Sequence, residues 1–289
     1  MRDLVYDLKR LCERNRDGSI QTQWDRKRML MLIGEQLVVL GWRDMRATDL
    51  KGRHVQRLVA TWKAEGLSPG TIANRLSALR WWSARIDRVS IMPKTNGHYD
   101  LEPRQRIPSP SPAFLLPEDV LPHIPDPHIR LSLQLQQWFG CRREESLKLS
   151  PHEADYGDML FLRGSWTKGG RERWKPLLFP EQTTLLTEAK VLVRPGQSLI
   201  PEDLTYIQHR RRYDYLTAQV GLHRVHGLRH CFAHRVYAHL TGWDCPAAGG
   251  PPSAALSPEQ QASDMAARRQ LSAMLGHSRL DIARTYCGS

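Results

Sequence analysis

Apolar residues recur at helical spacing through much of the chain. Between Thr22 and Leu40, the residues Met29, Ile33, Leu37 and Leu40 share one face, which predicts a helix with Thr22 as its cap. VQRLVATWK, over 55–63, predicts a second helix. The sharpest signal is GLSPGTIANRLSALRWWSARI, over 66–86. There Ser68 suits the N-cap and Pro69 the first helical position, while Ile72, Leu76, Leu79 and Ile86 form the expected buried stripe. Arg75, Ala78, Trp82 and Arg85 then fall on a different face; either Arg75 and Arg85 are a solvated surface with Trp81 and Trp82 as core fillers, or the face lies along a DNA groove.

The periodicity lapses over 90–117, where Pro93, Pro103, Pro108, Pro110, Pro112 and Pro117 stand among polar residues. This predicts a semi-extended linker over 93–116, separating a helical domain at 1–92 from a second domain at 117–289. In the second domain a helix is expected around Ile129–Phe139. MLFLRGSW and RWKPLLF follow, flanking TKGGRE, and predict a β-hairpin with its turn at Gly169 and Gly170. The remainder is expected to be helical, broken over 241–257 by the loop TGWDCPAAGGPPSAALS, with a new helix opening at Ser257–Pro258. The fold class expected is therefore mainly α with a small antiparallel β-sheet, a helical domain followed by a mixed one.

Charge narrows the partners. Of 289 residues, 42 are Lys or Arg and 30 Asp or Glu, a formal net charge of +12. Arginine outnumbers lysine 33 to 9, and guanidinium forks match phosphate oxygens as ammonium groups do not. Residues 1–100 carry a net +8 and the other 189 only +4, so the first domain is the stronger electrostatic candidate for a polyanion. The basic residues are not gathered on one face of a hydrophobic amphipathic helix, which argues for nucleic acid over a membrane surface. Forty per cent hydrophobic residues exclude a disordered chain. No apolar run approaches a membrane span, the N-terminus lacks a secretory apolar core, and the five cysteines include no CxxC pair, so a cytoplasmic location is expected.

The candidate chemistry lies in four segments: FGCRREESLKL (139–149), SWTKGGRER (165–173), HGLRHCFAH (226–234) and LGHSRLDIARTY (275–286). Each is weak alone. H-x-x-R occurs three times, at His54/Arg57, His209/Arg212 and His226/Arg229. Only the third precedes a clear apolar stripe, formed by Leu228, Phe232, Val236 and Leu240. That context predicts His226 and Arg229 at the exposed start of a helix, where amide donors favour an anion.

In this order the segments resemble the catalytic domain of the tyrosine recombinases, the phage-integrase family. The resemblance rests on Arg142 in G-C-R-x-x-E before Leu149, Lys168 in T-K-G-G, H-x-L-R-H at 226–230, L-G-H-S at 275–278, and Tyr286 nine residues after His277. It implies a catalytic domain at 117–289 and, at 1–92, a helical core-binding domain that grips DNA from the opposite side. It also implies the catalytic set Arg142, Lys168, His226, Arg229, His277 and Tyr286, with neither metal nor nucleotide required. Tyr286 is then the nucleophile of a 3′-phosphotyrosyl intermediate. A phenol with a pKa near 10 is only about one part in a thousand ionised at neutral pH, so it needs cations or a base nearby. In this scheme Arg142 and Arg229 stabilise phosphate charge, His226 relays the phenol proton, His277 donates to the phosphate, and Lys168 protonates the leaving 5′-oxygen. The implied partners are double-stranded DNA and three further copies, a homotetramer on two DNA sites, compatible with a free monomer. Arg26, Lys27, Arg28, Arg75, Arg85, Arg104 and Arg106 are the candidate DNA contacts.

Several alternatives stand beside this reading. Lys175 rivals Lys168, although its position in the returning strand suggests a solvated lysine on a strand edge. Glu145 reads better as a helix salt bridge than as a carboxylate supporting the site. His226, His230 and His234 recur every four residues, but Arg229 shares their turn and no carboxylate accompanies them, which argues against zinc. Arg229 and His277 are 48 positions apart, about twice the spacing the resemblance leads one to expect, and the purpose of the extra loop is open. A type IB topoisomerase-like nicking enzyme or a non-catalytic DNA-binding relative would carry the same motifs.

Overall fold

The computed structural model describes residues 3–102, 107–277 and 281–289, without the Asp281 side chain. The chain divides into two compact units, Met1–Gln105 and Arg106–Ser289.

The first unit is built on four helices, α1 (Asp3–Arg14), α2 (Ile20–Val39), α3 (Gly52–Ala64) and α4 (Pro69–Arg85). α1 was not anticipated, although Leu4 and Leu8, both fully buried, are one helical turn apart in a charged segment. α2 is capped by Ser19, whose hydroxyl accepts from Thr22 N at 3.2 Å; Thr22 is thus inside the helix rather than its cap. α4 starts as expected, with Ser68 capping Thr71 N and Pro69 in the first turn. On its face of Arg75, Ala78, Trp82 and Arg85, Trp82 is the core filler expected, Arg75 is half-buried and Arg85 is exposed. Ala78 and Trp82 are buried, and Trp82 Nε1 donates to Ala47 O at 2.9 Å. An indole between helices removes more apolar area from water than any smaller side chain, provided its N–H finds an acceptor. Trp62 obeys the same rule, donating to Gln36 Oε1 at 2.9 Å.

Part of the expected linker is packed rather than free. Arg80 reaches Pro93 O at 3.2 Å and Asn96 Oδ1 at 2.6 Å, and Tyr99 is buried in the first core. At the far end Leu116 is buried in the second unit, and its N donates to Gln137 Oε1 at 2.6 Å.

The second unit centres on α5 (Pro127–Phe139), which packs against α6 (Arg143–Lys148), α8 (Pro180–Leu192) and α10 (Gly227–Thr241). Asp126 caps α5 by accepting from His128 N and Ile129 N. The short helix α7 (Pro151–Ala154) leads to strands β1 (Met159–Leu162) and β2 (Arg173–Pro176). They pair antiparallel with Leu162 opposite Arg173 and Leu160 opposite Lys175. The hairpin is shorter in strand and longer in loop than expected, because 164–166 form a 3₁₀ turn. α9 (Tyr206–Gln219) precedes α10; α11 (Pro258–Met274) and α12 (Asp281–Cys287) follow and pack against it. Ser257 caps α11 with Pro258 in its first turn.

Candidate active site

The turn between α5 and α6 begins the site. Arg142 is the N-cap of α6 and Glu145 its third residue. The carboxylate accepts from Arg142 N at 2.8 Å and from Arg142 Nη1 at 2.7 Å. It also lies 2.6 Å from Arg173 Nη2 on β2 and 3.9 Å from Arg229 Nη1 on α10. Glu145 is therefore more than a helix salt bridge: it is fully buried and joins three arginines from three elements. Burial pushes its carboxyl upward, but Arg173, Lys175, Arg229 and Arg142 outweigh that and hold it at about 2.

Arg229 departs most from expectation. It is fully buried, not at an exposed helix start. A buried guanidinium is tolerated only where its donors are used, and those of Arg229 are. Nη1 donates to Gly140 O, Nη2 to Leu275 O at 2.5 Å, and Nε to Tyr286 Oη at 3.1 Å, while His277 Nε2 is 3.4 Å from Nη2. The Gly140 carbonyl is aimed by a left-handed backbone (φ 58°) in a place where an added Cβ would lie 2.3 Å from the Phe232 ring. Only glycine fits there.

Tyr286, on α12, is 5% exposed. Its ring centroid lies 4.6 Å from that of His230, 5.8 Å from His277 and 6.3 Å from His226, with Arg229 Cζ 5.6 Å from it. Burial, reinforced by Arg229 and Arg142, lowers the His226 imidazole below its ordinary range. Burial and the same two arginines, with Arg173, bring His277 to about 4. Burial beside His226, His234 and Arg229 brings His230 to about 4. These imidazoles are thus neutral at pH 7, able to accept a proton or to donate from the protonated ring nitrogen.

Five of the six expected catalytic residues, Arg142, His226, Arg229, His277 and Tyr286, come together here. Lys168 does not. It is exposed on the β1–β2 loop, and no hydrogen bond or ion pair ties it to the cluster among the described residues. Its loop is shaped by Thr167 Oγ1, which donates to Arg171 O at 2.7 Å. Lys175, expected on a solvated edge, is instead fully buried and donates to Phe139 O. Burial, with Arg173 and Arg229, outweighs Cys141 and Glu145 and lowers its ammonium to about 7. Arg173 and Lys175 point inward because β2 alternates, leaving Trp174 outside, 4.7 Å from the Phe161 ring. Arg173 was not singled out from the sequence; the period of two, once anchored on an outward Trp174, is the signal that finds it.

The candidate DNA contacts in the first unit are partly engaged internally. Arg26 pairs with Asp17 at 2.9 Å and lies 4.3 Å from the Trp81 ring centroid; Arg85 pairs with the same carboxylate at 3.4 Å. Lys27 pairs with Glu13 at 3.3 Å, whereas Arg28 is exposed. Arg75 lies 5.1 Å from the Trp62 ring centroid, its Nε and Nη1 buried without a hydrogen-bond partner among the described residues. Arg26, Arg28, Asn74 and Trp81 line an open groove of about 550 Å³ between α2 and α4. Arg104 and Arg106 lie outside the described residues.

Comparison with known proteins gives the fold. Residues 1–91 match the sequence profile of the family described as phage integrase, N-terminal. The whole chain is similar in structure to the Tn1549 transposon integrase in complex with circular intermediate DNA, with a TM-score of 0.56, 16% identity, and coverage of 97% of this chain and 94% of that one. It is similar to the XerH site-specific recombinase bound to a palindromic difH substrate, with a TM-score of 0.57, 17% identity, and coverage of 98% and 80%. It is also similar to a lambda integrase dimer bound to a COC′ core site, with a TM-score of 0.58, 16% identity, and coverage of 96% and 75%. No curated protein matches the chain at a significant level. Residues 1–91 thus match the phage-integrase N-terminal profile, and the chain shares the fold of these DNA integrases and recombinases. No described helix is long and apolar enough to cross a membrane.

Proposed function

We propose that this protein is a site-specific DNA recombinase that cuts and rejoins strands through Tyr286. The observation that carries the reading is the Arg229 guanidinium donating to Tyr286 Oη at 3.1 Å while lying within 3.4 Å of His277 Nε2. One buried cation thus touches both the proposed nucleophile and a histidine proposed to hydrogen-bond the phosphate.

In the reaction, Tyr286 Oη attacks the scissile phosphorus. The P–O bond to the 3′-phosphotyrosine forms as the bond to the 5′-oxygen breaks. The phenol proton passes to the neutral imidazole of His226, and the 5′-oxygen takes a proton from Lys168, whose exposed loop must move onto the DNA. Arg142, Arg229 and His277 stabilise charge on the non-bridging oxygens, an interaction stronger in the transition state than in the substrate. The phosphotyrosine keeps the bond energy for attack by a second 5′-hydroxyl, so no nucleotide cofactor enters. Exchange of two duplexes calls for four protomers. The relatives include a lambda integrase tetramer bound to a Holliday junction, which supports that stoichiometry for this chain.

A nicked suicide duplex carrying candidate recombination ends tests the reading. Wild-type protein should give a covalent adduct on a denaturing gel in the presence of a chelator, and Tyr286→Phe should give none. DNA that is bound without any adduct would overturn it. Relaxation of supercoiled plasmid lacking such ends would instead favour a topoisomerase-like activity.

A further inference from the structure

The long loop between α10 and α11 converges, with both helices, on the segment that carries Tyr286. From the loop, Cys245 meets Cys287, the residue after Tyr286, and both thiols are buried. The 3₁₀ turn Pro246–Ala248 lies against Gly288, where an added Cβ would be 3.0 Å from Ala247 N and 3.2 Å from Pro246 Cβ. The turn is held by its own backbone, with Ala248 N and Gly250 N both donating to Cys245 O. From α10, the His234 ring lies 2.9 Å from Tyr286 O through Nε2 and sits beside the Cys245 thiol. From α11, Arg268 Nη1 donates to Gly288 O at 2.8 Å. That guanidinium is fixed by Asp264 at 2.7 Å and by Ser253 of the loop at 3.3 Å, and Tyr237 Oη on α10 donates to the same aspartate.

We infer that the 242–257 loop, with His234 and Arg268, is an intrachain clamp whose role is to hold α12 docked so that Tyr286 stays in contact with Arg229. Three elements grip the backbone of residues 286–288 and none of the gripping groups touches the phenol. These are positioning residues, acting through the chain that bears the nucleophile. The geometry explains why so many extra residues lie between Arg229 and His277: they supply, within one protomer, the surface against which a seven-residue helix packs. A helix of that length has too few internal hydrogen bonds to persist without such support. The functional half of this inference rests on Tyr286 being the nucleophile; the structural half does not.

Two full-length variants test it, Arg268→Gln, which removes the donor to Gly288 O, and Gly288→Val, which wedges the turn at Ala247. Hydrogen exchange should accelerate by about tenfold or more in α12 amides while α5, α8 and the first unit keep their wild-type protection. Duplex affinity should remain within about twofold of wild type while the single-turnover rate of adduct formation falls by about tenfold, a loss in the chemical step rather than in binding. Arg268→Lys should restore part of the rate. Unchanged α12 exchange in both variants would overturn the clamp, as would acceleration spread evenly over the second unit. If α12 loosens as expected but wild-type protein forms no adduct, the clamp stands and the recombinase reading fails.

Discussion

The strongest stability prediction concerns Glu145→Gln. The wild-type carboxylate is fully buried and lies 2.7 Å from Arg142, 2.6 Å from Arg173 and 3.9 Å from Arg229. The amide keeps the shape and one acceptor but removes the carboxylate that, among the described residues, pairs with those three arginines and faces Lys175. Removing one partner of a buried ion pair costs about 3–5 kcal/mol, since the opposite charge is left uncompensated. With a urea m-value of about 2 kcal/mol/M, the unfolding midpoint should fall by roughly 2 M. The pH dependence has a fixed sign. The folded carboxyl titrates at about 2, below its ordinary 4.5, so its contribution is complete above 4.5 and is lost as pH falls towards 2. Wild-type stability should drop through that window more steeply than that of Glu145→Gln. Bound duplex should narrow the gap between the two proteins, because a scissile phosphate brings a replacement negative charge to the same arginines. Urea titrations at pH 7 and pH 3, with and without duplex, check all three points. A midpoint shift under about 0.5 M at pH 7 would refute the argument that Glu145 balances the cluster.

Other outcomes follow from the same geometry. Lys175 is lowered to about 7 from an ordinary 10.5, so the folded state binds fewer protons than the unfolded one between those values and wild-type stability should rise with pH across them. Lys175→Met should remove that rise, and thermal melts at pH 6.5 and 9.5 should show the variant gaining most at the lower pH; an equal difference at both would contradict the buried ammonium. Gly140→Ala requires φ 58° and places a Cβ 2.3 Å from the Phe232 ring, so it should cost more than about 3 kcal/mol in urea and abolish adduct formation. Wild-type stability in that variant would show that the turn can repack. Duplex affinity should fall by about a hundredfold or more between 50 and 200 mM salt, measured by fluorescence anisotropy, if several arginines neutralise phosphates; a flat response would remove the electrostatic basis for DNA binding.

How far the sequence alone reveals this site depends on the kind of partner each residue has. Arg142 with Glu145 and His226 with Arg229 are three residues apart at the starts of single helices, and His277 stands shortly before the helix of Tyr286, nine residues away, so spacing exposes them. The burial of Arg229 is not legible, because two of its acceptors are the backbone carbonyls of Gly140 and Leu275, which leave no residue-type signature. Lys175 and Arg173 are hidden for a different reason. In RWKP the aromatic residue suggests the inward face, yet the tertiary contacts turn Trp174 outward onto Phe161 and bury the two cations beside Glu145. α1 escapes because frequent charges interrupt a stripe as narrow as Leu4 and Leu8, and the α2 cap was misplaced because Ser19 and Thr22 are both good capping residues. The fold class, by contrast, follows from long periodic segments that tertiary context does not override.

Arg229 also explains why folding and chemistry are hard to separate in this unit. Its side chain reaches from α10 to the end of α5, to the end of α11 and to α12, through Gly140 O, Leu275 O and Tyr286 Oη. Lysine at that position offers three donors from a single nitrogen and cannot reproduce the spread of a planar fork. The residues nearest Tyr286 are thus assembled around one buried cation. Arg142, 23% exposed at its side chain, and His226, exposed at the start of α10, are open to solvent and so, in the proposed reaction, to a phosphate. A phosphate entering beside Arg142 meets a preset array of cations and neutral imidazoles. In the proposed reaction only the Lys168 loop has to move far, and the groups that face the phosphate need little reorganisation, the condition under which electrostatic stabilisation of a transition state is most effective.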